Sequence, residues 1–166
     1  FPTRRSSDLL LCGFVSGRVE LEHWNPGELF QFYHDTRPLA GDLEFLRPMA
    51  GQEAAALAVR DGACALYHGC AHNLLHGRSR EALGELYKAA GFTLRAKYFV
   101  ETKTYLARRS DLLSGLRGED HDLLMEGIAL RSCPNLDDRE FDRLSGKLVE
   151  WAGALLATCV SKKFPV

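Results

Sequence analysis

Three groups of residues in this chain have types and spacings that could do chemistry. The first is Glu20 and Glu22 in RVELEHW, where a period of two puts both carboxylates on one face and Val19, Leu21 and His23 on the other. Two carboxylates on a rigid strand can hold a divalent cation or serve as a general base beside a nucleoside triphosphate. The same letters also describe a plain acidic face turned to solvent. The second group is His68, His72 and His76, with Cys64 one step further back. Steps of four drift by only about 40° on a helix, so the rings form a ladder along one face. A HxxxH pair can contribute to a zinc site, but such a site needs a third ligand and a supporting shell. The residues between His72 and His76 are Asn73, Leu74 and Leu75, so the glutamate of a HExxH motif is missing. Ala63, Leu66, Tyr67, Cys70, Ala71 and Leu74 occupy the other side of that helix. The ladder therefore points to solvent or across a cleft to a second domain. The third group is Lys88, Arg95 and Thr102, seven residues apart and nearly in line. A row of this kind is either a solvated stripe with buried stems or a cationic row facing phosphates, with Arg as a bidentate fork and Lys as a point charge. The second choice expects the row to converge with the histidine ladder.

These groups need elements to hold them. LLLCGFV and RVELEHW are strand-like runs joined by Ser16-Gly17, a turn pair tolerant of positive φ, which predicts a β-hairpin over residues 10–24. Everything after it reads as helix. Asn25 as N-cap, Pro26 at the first helical position and Glu28 three residues on predict a helix through about Tyr33. A turn-rich stretch with Pro38, Gly41, Pro48 and Gly51 follows. Helical patterns then cover about 52–60, 63–76, 79–107, 119–131 and 138–160, parted by Gly62, Gly77, the Gly115 and Gly118 pair, and Pro134. The longest pattern has a main apolar face of Leu83, Leu86, Tyr87, Ala90, Leu94 and Tyr98 and a second of Phe92, Ala96 and Phe99, which predicts burial on two sides.

Residues 1–9, FPTRRSSDL, resemble a translated sequencing-library adapter and are set aside from the fold. Without Arg4, Arg5 and Asp8 the chain has 19 Lys and Arg against 21 Asp and Glu, moving the net charge from −1 to −2. Such a balance selects neither a nucleic-acid nor a membrane partner. The 166 residues, 46% of them hydrophobic, suffice for one core. No apolar stretch reaches the roughly 20 residues of a membrane span, so a soluble, cytoplasmic protein is expected. Cys12, Cys64, Cys70, Cys133 and Cys159 are an odd set without CxxC spacing, which predicts reduced, mostly buried thiols.

The run FVSGRVELEHWNPGELFQFY resembles the segment of DNA polymerase β-type nucleotidyltransferases in which an h-[DE]-h strand supplies the third active-site carboxylate before a helix. The stretch ALYHGCAHNLLHGRSREALGELYKAAGFTLRAKYFVETKTYLARRSDLLSGL is similar to the helical C-terminal part of bacterial members of that superfamily. Together they cover about residues 10–131. The resemblance implies a mainly α fold, with residues 10–24 as the hairpin remnant of a mixed sheet and 25–166 as a helical substrate-binding domain. It implies Glu20, or else Glu22, as the third carboxylate, with Glu20 as a magnesium ligand. The histidines His72 and His76, with Lys88 and Arg95, become candidates for contact with substrate. The implied reaction passes a nucleoside monophosphate from a nucleoside triphosphate to a hydroxyl or amine acceptor, with Mg2+ as cofactor.

The upstream Gly-Ser and paired Asp-x-Asp of that family have no counterpart here. Asp120-His121-Asp122 has the letters but reads as a helix's first turn, where acids complement the dipole. The expectation is thus a fragment lacking its N-terminal lobe and inactive by itself. The rival is a stand-alone helical bundle, a binding or toxin-antitoxin partner module without catalysis. The ribonuclease version of such bundles has Arg and His separated by four to six residues, whereas Arg117 and His121 have three between them and Arg60 and His68 have seven.

Overall fold

The computed structural model describes residues 16–132 and 136–161, and among them there is no strand. Seven α-helices follow one another: α1 (Arg18–Glu22), α2 (Pro26–Asp35), α3 (Gln52–His72), α4 (Arg80–Thr102), α5 (Arg109–Gly115), α6 (Gly118–Ser132) and α7 (Asp138–Ser161), with a 3-10 segment at Glu44–Met49 and a π turn at Asn73–Gly77. The mainly α expectation holds. The hairpin over 10–24 does not extend to its second strand, because residues 18–22 are helical; residues 10–15 lie outside the described part. The local reason is visible in the side chains. Arg18 Nε donates to Glu22 Oε1 at 2.8 Å, an i,i+4 pair that only a helix can close. Leu21 alone of this segment is buried, while Val19 is 65% exposed, so the alternating pattern has no apolar face to satisfy.

Elsewhere the local signals act as expected. Asn25 Oδ1 accepts from the amides of Gly27 and Glu28 at 2.8 and 3.1 Å, capping α2 behind Pro26. Gly62 does not break α3. A Cβ there would lie 2.4 Å from Thr93 Oγ1, so the residue is small because α3 and α4 cross at this point. The turn between these helices is built on Asn73, whose buried amide donates to Ser79 O and accepts from Ser79 N, both at 2.9 Å. A side chain at Gly77 would strike Asn73 Oδ1, and the next residue, Arg78, is left-handed at φ 45°. Ser79 then caps α4 by accepting from Ala82 N.

The main core is formed by α3, α4, α6 and α7, around Ala55, Leu66, Leu83, Leu94, Leu123, Phe141 and Leu148. Each large side chain buried here stabilises the fold by roughly 1.5–3 kcal/mol. Burial of Leu83, Tyr87, Ala90, Leu94 and Ala96, with Phe92 and Phe99 half-buried, places α4 between neighbours on two sides as its sequence predicts. A smaller cluster of Leu21, Leu29 and Leu46 joins α1, α2 and the 3-10 segment. Polar ties also cross the main core, Cys70 Sγ donating to Ser145 O at 3.3 Å among them. Tyr87 Oη donates to Leu144 O at 3.0 Å. Asp120 accepts from Trp151 Nε1 at 2.8 Å and pairs with Lys97, joining α4, α6 and α7. Burial works against the Lys97 charge, but Asp120 and Glu101 outweigh it and hold its pKa above the usual lysine value. Cys70 is buried, with its thiol pushed up to about 11 by desolvation, and Cys159 is half-buried; Cys64 is exposed, against the expectation of mostly buried thiols.

No helix among the described residues is long and apolar enough to cross a membrane.

Candidate functional site

Of the residues singled out by type and spacing, Lys88 and Arg95 are brought into one cleft. Seven residues apart on α4, both line a cavity of about 210 Å³ between α4, α5 and α6. Arg109, the first residue of α5, and Arg131, in the last turn of α6, enter from the other walls. Every charged residue lining this cleft is a cation. Between the charges lie Phe92, Leu112, Leu124 and Ile128, while Gly91 and Gly127 leave the floor without side chains.

The four cations differ in how they are held. Lys88 Nζ pairs with Glu85 at 2.9 Å. Arg95 Nη1 donates to Asp35 Oδ2 at 3.1 Å, and Tyr105 Oη donates to the other oxygen of that carboxylate at 2.8 Å. His34 stacks on Tyr105 with ring centroids 4.5 Å apart and planes 18° from parallel. Arg95 is thus oriented by α2 and the segment after α4, while its Nε is buried with no hydrogen-bond partner. Arg109 and Arg131 have no ion pair or hydrogen bond among the described residues. Burial first, then the guanidiniums of Arg131 and Arg95, push Arg109 below the usual arginine pKa. Four like charges have been gathered here, and two of them, Arg109 and Arg131, have no counter-charge among the described residues.

The other sites resolve differently. His68, His72 and His76 do ladder along one exposed face, with centroids 6.4 and 5.1 Å apart. None of them lines the cleft of Lys88 and Arg95, so the cationic row meets Arg109 and Arg131 instead of the histidines. Thr102 is spent at the end of α4, donating to Tyr98 O and accepting from Thr104 N. Glu20 and Glu22 do not share a face, since two residues along a helix turn by about 200°. Glu22 is closed on Arg18, and Glu20 folds back over Gly17. Among the described residues no three His, Cys, Asp or Glu side chains lie together as a metal site, so these residues do not fit a magnesium pair by themselves. Asp120 sits in the first turn of α6 as expected, engaged by Lys97 and Trp151.

Sequence reasoning missed Arg109 and Arg131. The predicted long helix ran on to residue 107, but α4 ends at Thr102, with Lys103 left-handed at φ 59°. The usable signal was the basic pair at the start of a short amphipathic helix. Comparison with protein-family models, with curated proteins and with solved structures finds no match to this chain, so its site rests on its own residues.

Proposed function

We propose that this chain is the helical, substrate-holding part of a DNA polymerase β-type nucleotidyltransferase, which would pass a nucleoside monophosphate from a nucleoside triphosphate to a hydroxyl or amine acceptor. The observation that carries the reading is the cleft in which Lys88 and Arg95 meet Arg109 and Arg131. Lys88, Arg95 and Arg109 lie in the stretch that resembles the helical part of that superfamily, and a site of this charge suits a phosphorylated substrate. In this reading the metal-holding carboxylates come from an N-terminal lobe. Glu20, without an ion pair among the described residues, is the acid of α1 left to join them.

The experiment reads the gene upstream of the codon for Leu10, joins the chain to whatever that reading frame encodes, and follows magnesium-dependent pyrophosphate release from nucleoside triphosphates. Release that requires a Gly-Ser and an Asp-x-Asp in the added segment supports the reading. An added segment without those motifs, and without turnover, removes it. The helical state of Arg18–Glu22, where a catalytic strand would be needed, favours a second reading: a stand-alone bundle that binds without catalysis. That reading expects ligand binding by the cleft and no turnover from the joined protein.

A further inference from the structure

The charges around the cleft count to a definite excess. Lys88 is balanced by Glu85 and Arg95 by Asp35, which leaves Arg109 and Arg131 as two guanidiniums with no counter-charge among the described residues. They face one half-open cleft of about 210 Å³ from two different helices, Arg109 half-buried and Arg131 exposed. From this geometry we infer that the cleft is a binding site for a small phosphate monoester, the phosphate held by Arg109 and Arg131 and an apolar or ring-shaped body laid between Phe92 and Ile128.

The ligand class follows from charge, shape and size. A phosphate monoester carries close to two negative charges near neutral pH, with its second pKa at about 6, and matches the excess. A single carboxylate would leave one arginine uncompensated. Guanidinium forks pair bidentately with phosphate oxygens, and Arg95 lines the same cleft beside them. The remaining wall is apolar, so the ester's organic part gains by leaving water. A nucleic-acid strand is disfavoured, since it tracks a basic stripe and this chain is near neutral with one compact site. Polycationic ligands are repelled outright.

The cleft shares no lining residue with α1, so the monoester is assigned to the acceptor side of the proposed reaction rather than to the phosphorus that reacts at the carboxylates. That assignment alone rests on the nucleotidyltransferase reading. The binding site itself does not.

Calorimetric titration of the whole chain at low salt tests it, with phenyl phosphate as probe and phenol, succinate and a thymidine oligonucleotide as comparisons. Phenyl phosphate should bind tighter than all three, and weaken as pH falls from 7.5 towards 5.5 while the ester loses its second charge. Arg109→Ala and Arg131→Ala should each weaken it by about tenfold or more, the scale of a charge-assisted hydrogen bond. Arg60→Ala, outside the cleft and paired with Asp61, should leave it unchanged. Equal binding of phenol or succinate, tighter binding of the oligonucleotide, or equal loss in Arg60→Ala would overturn the inference. Phenyl phosphate binding alongside failure of the joined protein to turn over would retain the cleft and remove the enzyme; turnover without phenyl phosphate binding would do the reverse.

Discussion

In the N-terminal region around α1 and the 3-10 segment, charge is settled within a turn: Glu22 closes on Arg18 and Glu44 on Arg47, all of them exposed to water to some degree. Around the cleft, three helices bring Lys88, Arg95, Arg109 and Arg131 together, and only two find partners. Local pairs of the first kind contribute a few tenths of a kcal/mol and are weakened further by salt. A convergence of the second kind opposes folding through like-charge repulsion, and folding alone offers no return for it. The difference teaches where to look for function in this molecule: at the charge that the fold has gathered and left open.

The largest effect that sharpens this contrast lies at a third charged group, where charge is buried and fully settled. Asp120→Ala leaves Lys97 half-buried with only Glu101 and removes the partner of Trp151 Nε1, so it should cost about 2–3 kcal/mol in urea unfolding. Phenyl phosphate affinity should stay unchanged in the folded fraction. Next, Tyr87→Phe removes the hydroxyl that donates to Leu144 O from the wall of the cleft, and should cost about 1 kcal/mol by the same measurement.

Acidification gives a smaller effect with a definite sign. Burial holds His34 below the ordinary histidine pKa, with Ala50 and Asp35 pulling the other way. The unfolded chain therefore binds a proton more readily than the folded one. Stability from this group is complete above pH 6.5 and is lost as pH falls below it. A series of melts between pH 7.5 and 5 should show a shallower decline in His34→Phe than in the wild type; parallel declines would remove His34 from the account. The smallest effect belongs to the N-terminal pair, since Arg18→Ala should change stability by under about 0.5 kcal/mol.

How much of this was legible in the sequence follows the range of the forces involved. The cap of α2 is local, carried by Asn25, Pro26 and Glu28, and could be read directly. The faces of α4 and the histidine ladder are periodic along one helix and were also legible. Gly62 misled because a glycine inside a helical pattern looks like a stop, whereas its cause is Thr93, 31 residues away on another helix. RVELE misled because five residues fit an alternating pattern and an i,i+4 ion pair equally well, and the burial of a single leucine decides little. For the cleft, the row of Lys88 and Arg95 could be drawn from α4 alone. Its meaning could not, because Arg109 and Arg131 reach it only through the packing of α5 and α6.

The central claim is that Arg109 and Arg131 are held together for an anion rather than for the fold. Thermal unfolding of the wild type and of the double variant Arg109→Ala, Arg131→Ala, each with and without phenyl phosphate, separates the two roles. At a hundredfold excess over Kd the ligand should raise the wild-type Tm by about 5–10 °C, the melting shift that about 2.7 kcal/mol of linked stability gives a chain of this size. The double variant should not respond, and without ligand it should melt at or above the wild-type temperature, freed of the repulsion. A wild type that phenyl phosphate does not stabilise, together with a double variant that melts lower on its own, would contradict the claim.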